Sequence, residues 1–295
     1  MIICIVGPTG VGKTKMSIEL AKKYNGEVVN ADSTQVFKNL DIATAKVTKE
    51  EKEGIPHHLF DIKNIDEDYT VFDYQRDARS VIDDIISRGK TPIVVGGTGL
   101  YIKALFYDYK FESEKNNNET YDDIKTSELY KMLIEVDPES NIHPNNRKRI
   151  VRALNYYKEF NSPISLKEKT DKLLYDVKFI GLTTERDNLY DRINKRVDFM
   201  LKEGLMEEAK RIYDTSIRSK AVMTPIGYKE LFEYFDGLIS LDESLDLIRQ
   251  RSRRYAKRQY TWFNNQMNVK WFNVDYDNFN NTINDVVDYL GCDLW

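Results

Sequence analysis

Eight residues near the start of this 295-residue chain, Gly7-Pro8-Thr9-Gly10-Val11-Gly12-Lys13-Thr14, carry its clearest chemical signal. They match G-x-x-x-x-G-K-[ST] between an apolar run and a helical pattern, the setting a phosphate-binding loop requires. The glycines let backbone N–H groups turn inward, and the helix that follows adds its positive N-terminal end. Lys13 supplies a point charge for phosphate oxygens, and the Thr14 hydroxyl suits Mg²⁺. On its own such a loop suggests ATP or GTP.

Other residues could act beside it. Asp32 closes the apolar run EVVNAD and is followed by Ser33, Thr34 and Gln35, short polar groups where a parallel sheet opens a ligand crevice. A helix cap or Asx-turn explains the same run. Thr98, in Gly96-Gly97-Thr98-Gly99, could donate to a phosphate or leaving-group oxygen, or cap the helix after it. P-loop nucleotide hydrolases usually place a Mg²⁺-binding Asp at the end of a second apolar strand. Here the candidate strand PIVV runs into those glycines instead.

Two basic segments complete the inventory. Lys148, Arg149 and Arg152 open a predicted helix, where a solvated face is the ordinary explanation. Residues 249–258 hold six Lys or Arg in ten positions. Helical spacing puts Arg251, Arg254 and Arg258 on one side, with Tyr255, Tyr260, Trp262 and Phe263 interleaved. Charge for phosphates and aromatic faces for bases would suit RNA. Aromatic residues at that spacing can equally be core.

The elements that must carry these groups follow from periodicity. MIICIV, EVVNADS and TPIVV read as buried strands. KTKMSIELAKKY, YTVFDYQRDARSVIDDIISRGK and LYIKALF read as helices, the second with Phe72, Ala78, Val81, Ile82, Ile85 and Ile86 on its apolar stripe and Gly89 at its end. Strand–helix alternation predicts an α/β fold, a parallel sheet flanked by helices. The polar stretch FESEKNNNETYDDIKT reads as a loop at a domain edge. SELYKMLIEV and NRKRIVRALNYYKEF read as helices parted by DPESNIHPN. The division expected is a P-loop core over 1–110, a mostly helical insertion over 111–175 and the rest of the core over 176–295. That last part is helical from residue 187 to the basic run, after DVKFIGLTT as a strand and before VKWFNVD as another.

Bulk properties exclude several classes. With 41% hydrophobic and 31% charged residues the composition is globular. Apolar runs such as Ile2–Val6 fall far short of the roughly 20 residues of a membrane span. The N-terminus lacks a signal-peptide pattern. The cysteines are Cys4, in the first strand, and Cys292; the histidines are His57, His58 and His143. No CxxC occurs, which argues against a zinc cluster or a disulfide framework and fits a reducing, cytoplasmic setting. A net charge of −4 makes the 249–258 patch a directed surface and not a general affinity for polyanions.

Taken together, GPTGVGKT at 7–14, NADSTQVFKNLDIATAK at 30–46, PHHLFDI at 56–62, KTPIVVGGTGLYIKAL at 90–105, HPNNRKRIVRAL at 143–154, LYDRINKRVDFMLKEGL at 189–205, IGYKEL at 226–231 and RRYAKRQYTWF at 253–263 resemble the tRNA dimethylallyltransferases over nearly the whole chain. The resemblance implies transfer of a dimethylallyl group from dimethylallyl diphosphate to N6 of the adenine 3′ of the tRNA anticodon. On that footing the loop, with Mg²⁺, holds the diphosphate, Thr98 donates to the leaving oxygen and Asp32 is the general base. Ser33, Thr34 and Gln35 meet the base, and Gln35 could read an adenine edge. The two basic segments grip the backbone of the anticodon stem-loop. A monomer is the simplest assembly. Thr224 stands where the family often has Gln or Arg, and residues 111–120 show no clear Arg for tRNA. The rival readings are a P-loop kinase of a nucleotide or metabolite and a non-catalytic RNA-binding nucleotide hydrolase.

Overall fold

The computed structural model describes residues 1–109, 111, 119–166 and 172–291. Most of the polar stretch expected to form a domain-edge loop (112–118), and Cys292, lie outside the described residues. The chain forms two compact units, one of Met1–Tyr107 with the chain from Leu173 onward, the other of Asp108–Lys172.

The larger unit is built on a six-stranded sheet of β1 (Ile2–Val6), β2 (Gly26–Asn30), β3 (His57–His58), β4 (Thr91–Val95), β5 (Val177–Thr183) and β6 (Lys270–Asn273). Its order is β3-β2-β4-β1-β5-β6, and every pairing is parallel. In the middle, Cys4 lies opposite Val94 on one side and Phe179 on the other. Strand side chains alternate between faces, so β1 feeds two cores. Ile2, Cys4 and Val6 pack with Tyr74, Ala78, Ile82 and Phe263, while Ile3 and Ile5 pack with Met16, Leu20, Val286 and Leu290. Cys4 is fully buried, and burial pushes its thiol pKa well up, as suits an unreactive core thiol.

Helices α1 (Lys13–Lys23), α2 (Val71–Ser87) and α3 (Gly99–Phe106) follow β1, β3 and β4. A Thr70–Asp73 capping box starts α2. Its buried positions are Tyr74, Gln75, Ala78, Ile82 and Ile85. Phe72 and Ile86, expected inside, are 53% and 47% exposed. Both lie at the edge of the stripe centred on Ala78 and Ile82, so the true face is narrower than the apolar pattern.

The smaller unit holds α4 (Thr126–Val136) and α5 (Arg147–Phe160), packed through Leu129, Leu133, Ile150, Ala153 and Leu154. Asn146 caps α5, and Arg147 turns inward to donate to the Ile124 carbonyl at 2.7 Å. Lys148, Arg149 and Arg152 are exposed.

The second part of the larger unit is helical: α6 (Arg186–Lys202), α7 (Leu205–Asp214), α8 (Lys220–Met223), α9 (Tyr228–Phe235), α10 (Leu241–Gln266) and, after β6, α11 (Phe279–Leu290). The long helical stretch from residue 187 breaks at Gly204, whose φ of +98° ends α6 and starts α7. The short β3 and the whole of α11 were not anticipated. Two residues are too few for a visible alternation, and α11 offers only three buried positions, Thr282, Val286 and Leu290. Among the described residues no helix is long and apolar enough to cross a membrane.

Candidate active site

The C-terminal ends of β1, β2 and β4 open into a cavity of about 1070 Å³, also walled by α6 and α10. Lys13, Asp32, Thr98, Arg196 and Tyr255 all line it.

The glycine-rich loop leaves β1 at Gly7. Its φ is +140°, and a Cβ there would stand 2.5 Å from the Leu182 carbonyl oxygen, so no other residue fits. At the N-cap of α1, Gly12 has φ +105° and offers no side chain to the first-turn N–H groups. No acidic residue occupies that turn, so the helix's positive end is not neutralised locally. Lys13 donates to the carbonyls of Gly7 (3.0 Å) and Pro8 (2.8 Å), which draws its ammonium across the loop. Burial lowers its pKa to about 8; Asp32 works against that shift and Arg196 adds to it. Thr14 is exposed on α1 and lines the same cavity.

Asp32 stands just past β2. Its Oδ1 accepts from the Thr34 N–H (2.9 Å) and hydroxyl (2.7 Å), while its own N–H donates to Asn30 Oδ1 at 2.8 Å. The Asx-turn is therefore present, and it aims the carboxylate: Oδ2 has no hydrogen-bond partner among the described residues and belongs to a side chain that lines the cavity. Thr98 holds the N-cap position of α3 but makes no cap bond with its side chain. Its Oγ1 instead accepts from the Ser33 N–H at 3.0 Å and donates to Ser33 Oγ at 3.3 Å. The capping alternative for Thr98 falls, and the β4 turn is tied to the Asp32 segment.

Gln35 differs from expectation. Its amide donates to the carbonyls of Thr44 (2.9 Å) and Ala45 (3.3 Å), so its N–H donors hold the 41–46 loop and are not offered to a base edge. The other anchor of that loop is Glu208, 5% exposed. Its carboxylate accepts from the N–H groups of Asp41 (3.0 Å), Ile42 (2.9 Å) and Ala43 (3.1 Å) and from the Tyr228 hydroxyl (2.7 Å).

The basic run on α10 divides by role. Arg251 is ion-paired to the buried carboxylate of Glu230, which also accepts from the Gly227 N–H at 2.8 Å, so Arg251 serves the fold. Arg254 and Arg258 are exposed; Arg258 lines the cavity with its guanidinium 5.6 Å from the Tyr255 ring centre. Of Tyr255, Tyr260, Trp262 and Phe263, only Tyr255 lines the cavity. Phe263 is fully buried, Trp262 packs on the Gly99 backbone and Tyr260 sits 4.9 Å from Trp271. A base-stacking role is thus open to Tyr255 alone of the four.

Two cations were missed. Arg192 donates to the Gly10 carbonyl at 3.2 Å with its guanidinium 3.9 Å from the Tyr276 ring centre, and Arg196 donates to Thr9 Oγ1 at 3.3 Å. Burial lowers the pKa of Arg196, with Asp32 and Glu51 opposing the shift. The available signal was their spacing of four in LYDRINKRV, which places both on one face of α6. Thr224 also lines the cavity, beside Pro225 and Ile226.

A family model described as IPP transferase matches residues 35–266. The tRNA dimethylallyltransferase of Anoxybacillus flavithermus is 50% identical over 297 residues, covering 98% of this chain and 96% of the relative. That of Bacillus subtilis is 46% identical over 284 residues, covering 92% and 90%. A full-length tRNA isopentenylpyrophosphate transferase structure from Bacillus halodurans superposes with a TM-score of 0.76 at 43% identity, covering 99% of this chain and 96% of that one. A eukaryotic dimethylallyltransferase described as acting on tRNA gives a TM-score of 0.81 at 32% identity, covering 92% and 73%.

Proposed function

Because this chain belongs to the IPP transferase family and is a tRNA-modifying prenyltransferase, we propose that its cavity moves the dimethylallyl group of dimethylallyl diphosphate onto N6 of adenine 37, the base 3′ of the tRNA anticodon. The observation that carries this reading is the convergence of Lys13, Asp32 and Thr98 on one cavity. The residues there serve both halves of the reaction.

Gly10, Gly12 and Lys13 hold the diphosphate, with Gly7, Pro8, Thr9 and Val11 shaping the loop. Arg192 and Arg196 add charge from α6. All are fixed before reaction, so negative charge growing on the leaving group meets oriented donors, which is electrostatic stabilisation of the transition state. Thr98 turns its hydroxyl away from Ser33 Oγ to donate to the oxygen that leaves. Thr14 fits a Mg²⁺ ligand. Among the described residues no cluster of three carboxylate, His or Cys ligands is placed to hold a metal. That donor set suits an ion bound largely through diphosphate oxygens and water. When bound, Mg²⁺ neutralises charge on the diphosphate.

As the C1–O bond breaks and the N6–C1 bond forms, N6 must lose a proton. Asp32 Oδ2 receives it, and diphosphate departs with the bonding electron pair. A stacked anticodon loop hides N6, so the adenine is turned out into the cavity, where Tyr255 offers a ring face. Asp32, Ser33, Thr34 and Thr98 frame that base. Lys148, Arg149 and Arg152 on α5, with Arg254 and Arg258 on α10, contact tRNA phosphates. β4 ends at Val95 and runs into Gly96-Gly97, without the metal-binding carboxylate a P-loop kinase would place there.

The test is incubation with unmodified tRNA carrying adenine 3′ of the anticodon, radiolabelled dimethylallyl diphosphate and Mg²⁺. Label should enter the tRNA as N6-dimethylallyladenine. ATP turnover without label in the tRNA would overturn the assignment in favour of a kinase.

A further inference from the structure

Gln259 is 5% exposed and sits at the inner face of α10. Its side chain makes two long-range bonds. Oε1 accepts from the Thr9 N–H of the phosphate loop at 2.9 Å, and Nε2 donates to the Gly97 carbonyl at 3.1 Å. The approach is so close that a Cβ on Gly97 would lie 2.0 Å from Nε2. One helical turn earlier, Tyr255 lines the cavity together with Thr98 and Gln259. Thr98 in turn holds the Ser33 N–H, next to Asp32.

One amide thus spans the two halves of the reaction centre. Its acceptor end meets the loop assigned to the diphosphate, and its donor end meets the turn that carries Thr98 and braces Asp32. A carboxamide is the side chain that can do both at once, since it offers a fixed acceptor and a fixed donor. We propose that Gln259 is a positioning residue that sets the distance between the phosphate loop and the Thr98–Asp32 side of the cavity, and so aligns the donor carbon with the attacking nitrogen. This rests on the transfer reaction proposed above. Group transfer is sensitive to such alignment, and a displacement of about 1 Å can cost on the order of 100-fold in rate.

The test uses two variants of the full chain. Gln259→Leu removes both bonds. Gln259→Glu keeps the shape but sets a carboxylate oxygen against the Gly97 carbonyl when ionised; when protonated, its hydroxyl donates there as the amide did. The single-turnover rate of Gln259→Leu should fall about 10- to 100-fold, with tRNA affinity within about threefold of the parent. Gln259→Glu should be slow at alkaline pH and regain rate, relative to the parent at each pH, as the pH falls. Rates near the parent's for Gln259→Leu, or losses of tRNA affinity that match the losses of rate, would overturn the proposal. So would a Gln259→Glu variant that is slow at every pH, because protonation restores the bond. Should the parent itself transfer no label, the transferase reading fails. Binding of dimethylallyl diphosphate then still decides, since the proposal requires it to weaken in Gln259→Leu and unchanged binding sinks it.

Discussion

Lys13 carries a titration that reports its place in the loop. Its pKa is lowered to about 8, by burial first, with Asp32 opposing and Arg196 assisting. The ammonium is therefore charged below that pH and is lost as the pH rises through it. A bound diphosphate favours the charged form and raises the pKa again. Affinity for dimethylallyl diphosphate should be level up to about pH 8 and then weaken about tenfold per pH unit, or about 1.4 kcal/mol, until the pKa of the complex is reached. The ligand itself adds no slope there, because phosphate esters lose their last proton at about pH 6. At pH 8 half the free protein lacks the proton, so binding should take up about half a proton per site. Isothermal titration calorimetry across the alkaline range, in pairs of buffers with different ionisation heats, measures both quantities. Lys13→Arg, which stays charged, should bind with a flat profile. A flat profile in the parent, with no proton uptake at pH 8, would refute the reasoning.

Asp32→Ala should lower the rate of transfer by about 10²- to 10⁴-fold while tRNA affinity, read by filter binding, stays near the parent's. Equal losses in both would make Asp32 a base-positioning group and not the proton acceptor. Glu208→Ala orphans three backbone N–H groups and the Tyr228 hydroxyl, so the urea midpoint should correspond to a loss of about 2–4 kcal/mol, some of the donors regaining water. Arg254→Ala should reduce the salt dependence of tRNA binding by about one phosphate contact and leave stability unchanged. Arg251→Ala should do the reverse, costing about 1–2 kcal/mol in the urea midpoint because Glu230 loses its cation, with the salt slope intact.

Those last two residues show where sequence reasoning reached and where it stopped. The phosphate loop is legible because its chemistry is local: glycines, a lysine and a hydroxyl within eight positions, between a strand and a helix. Asp32 and Thr98 are legible for a related reason, since both stand where strands of a parallel sheet end. Arg251 and Arg254, by contrast, sit in one basic run at helical spacing. Only the fold reveals that Glu230, a residue 21 positions earlier, occupies one of them. The resemblance suggests that Gln35 reads a base edge, yet its amide N–H donors go to carbonyls 9 and 10 positions downstream. Glu208 and Gln259 are polar residues that each bond to a partner at least 165 positions away, and no periodicity signals such a contact. Arg192 and Arg196 stand four apart on α6, and only the fold shows that this helix lies against the loop.

The bond between Thr9 and Gln259 joins residues 250 positions apart, and that between Gln259 and Gly97 spans 162. Synthesis proceeds from the N-terminus, so the phosphate loop leaves the ribosome long before the helix that locks it. Contacts of such separation also form late in folding, after the entropy of closing the intervening chain has been met. Because β1 pairs with β4 and β5, the loop that leaves it is held only once those strands are made, and it is tied to the Gly97 turn only once α10 has docked. A chain interrupted before residue 241 would retain the loop yet lack Tyr255, Arg258 and Gln259 together. Such a chain would keep the glycine loop without the side chain that joins it to the Gly97 turn.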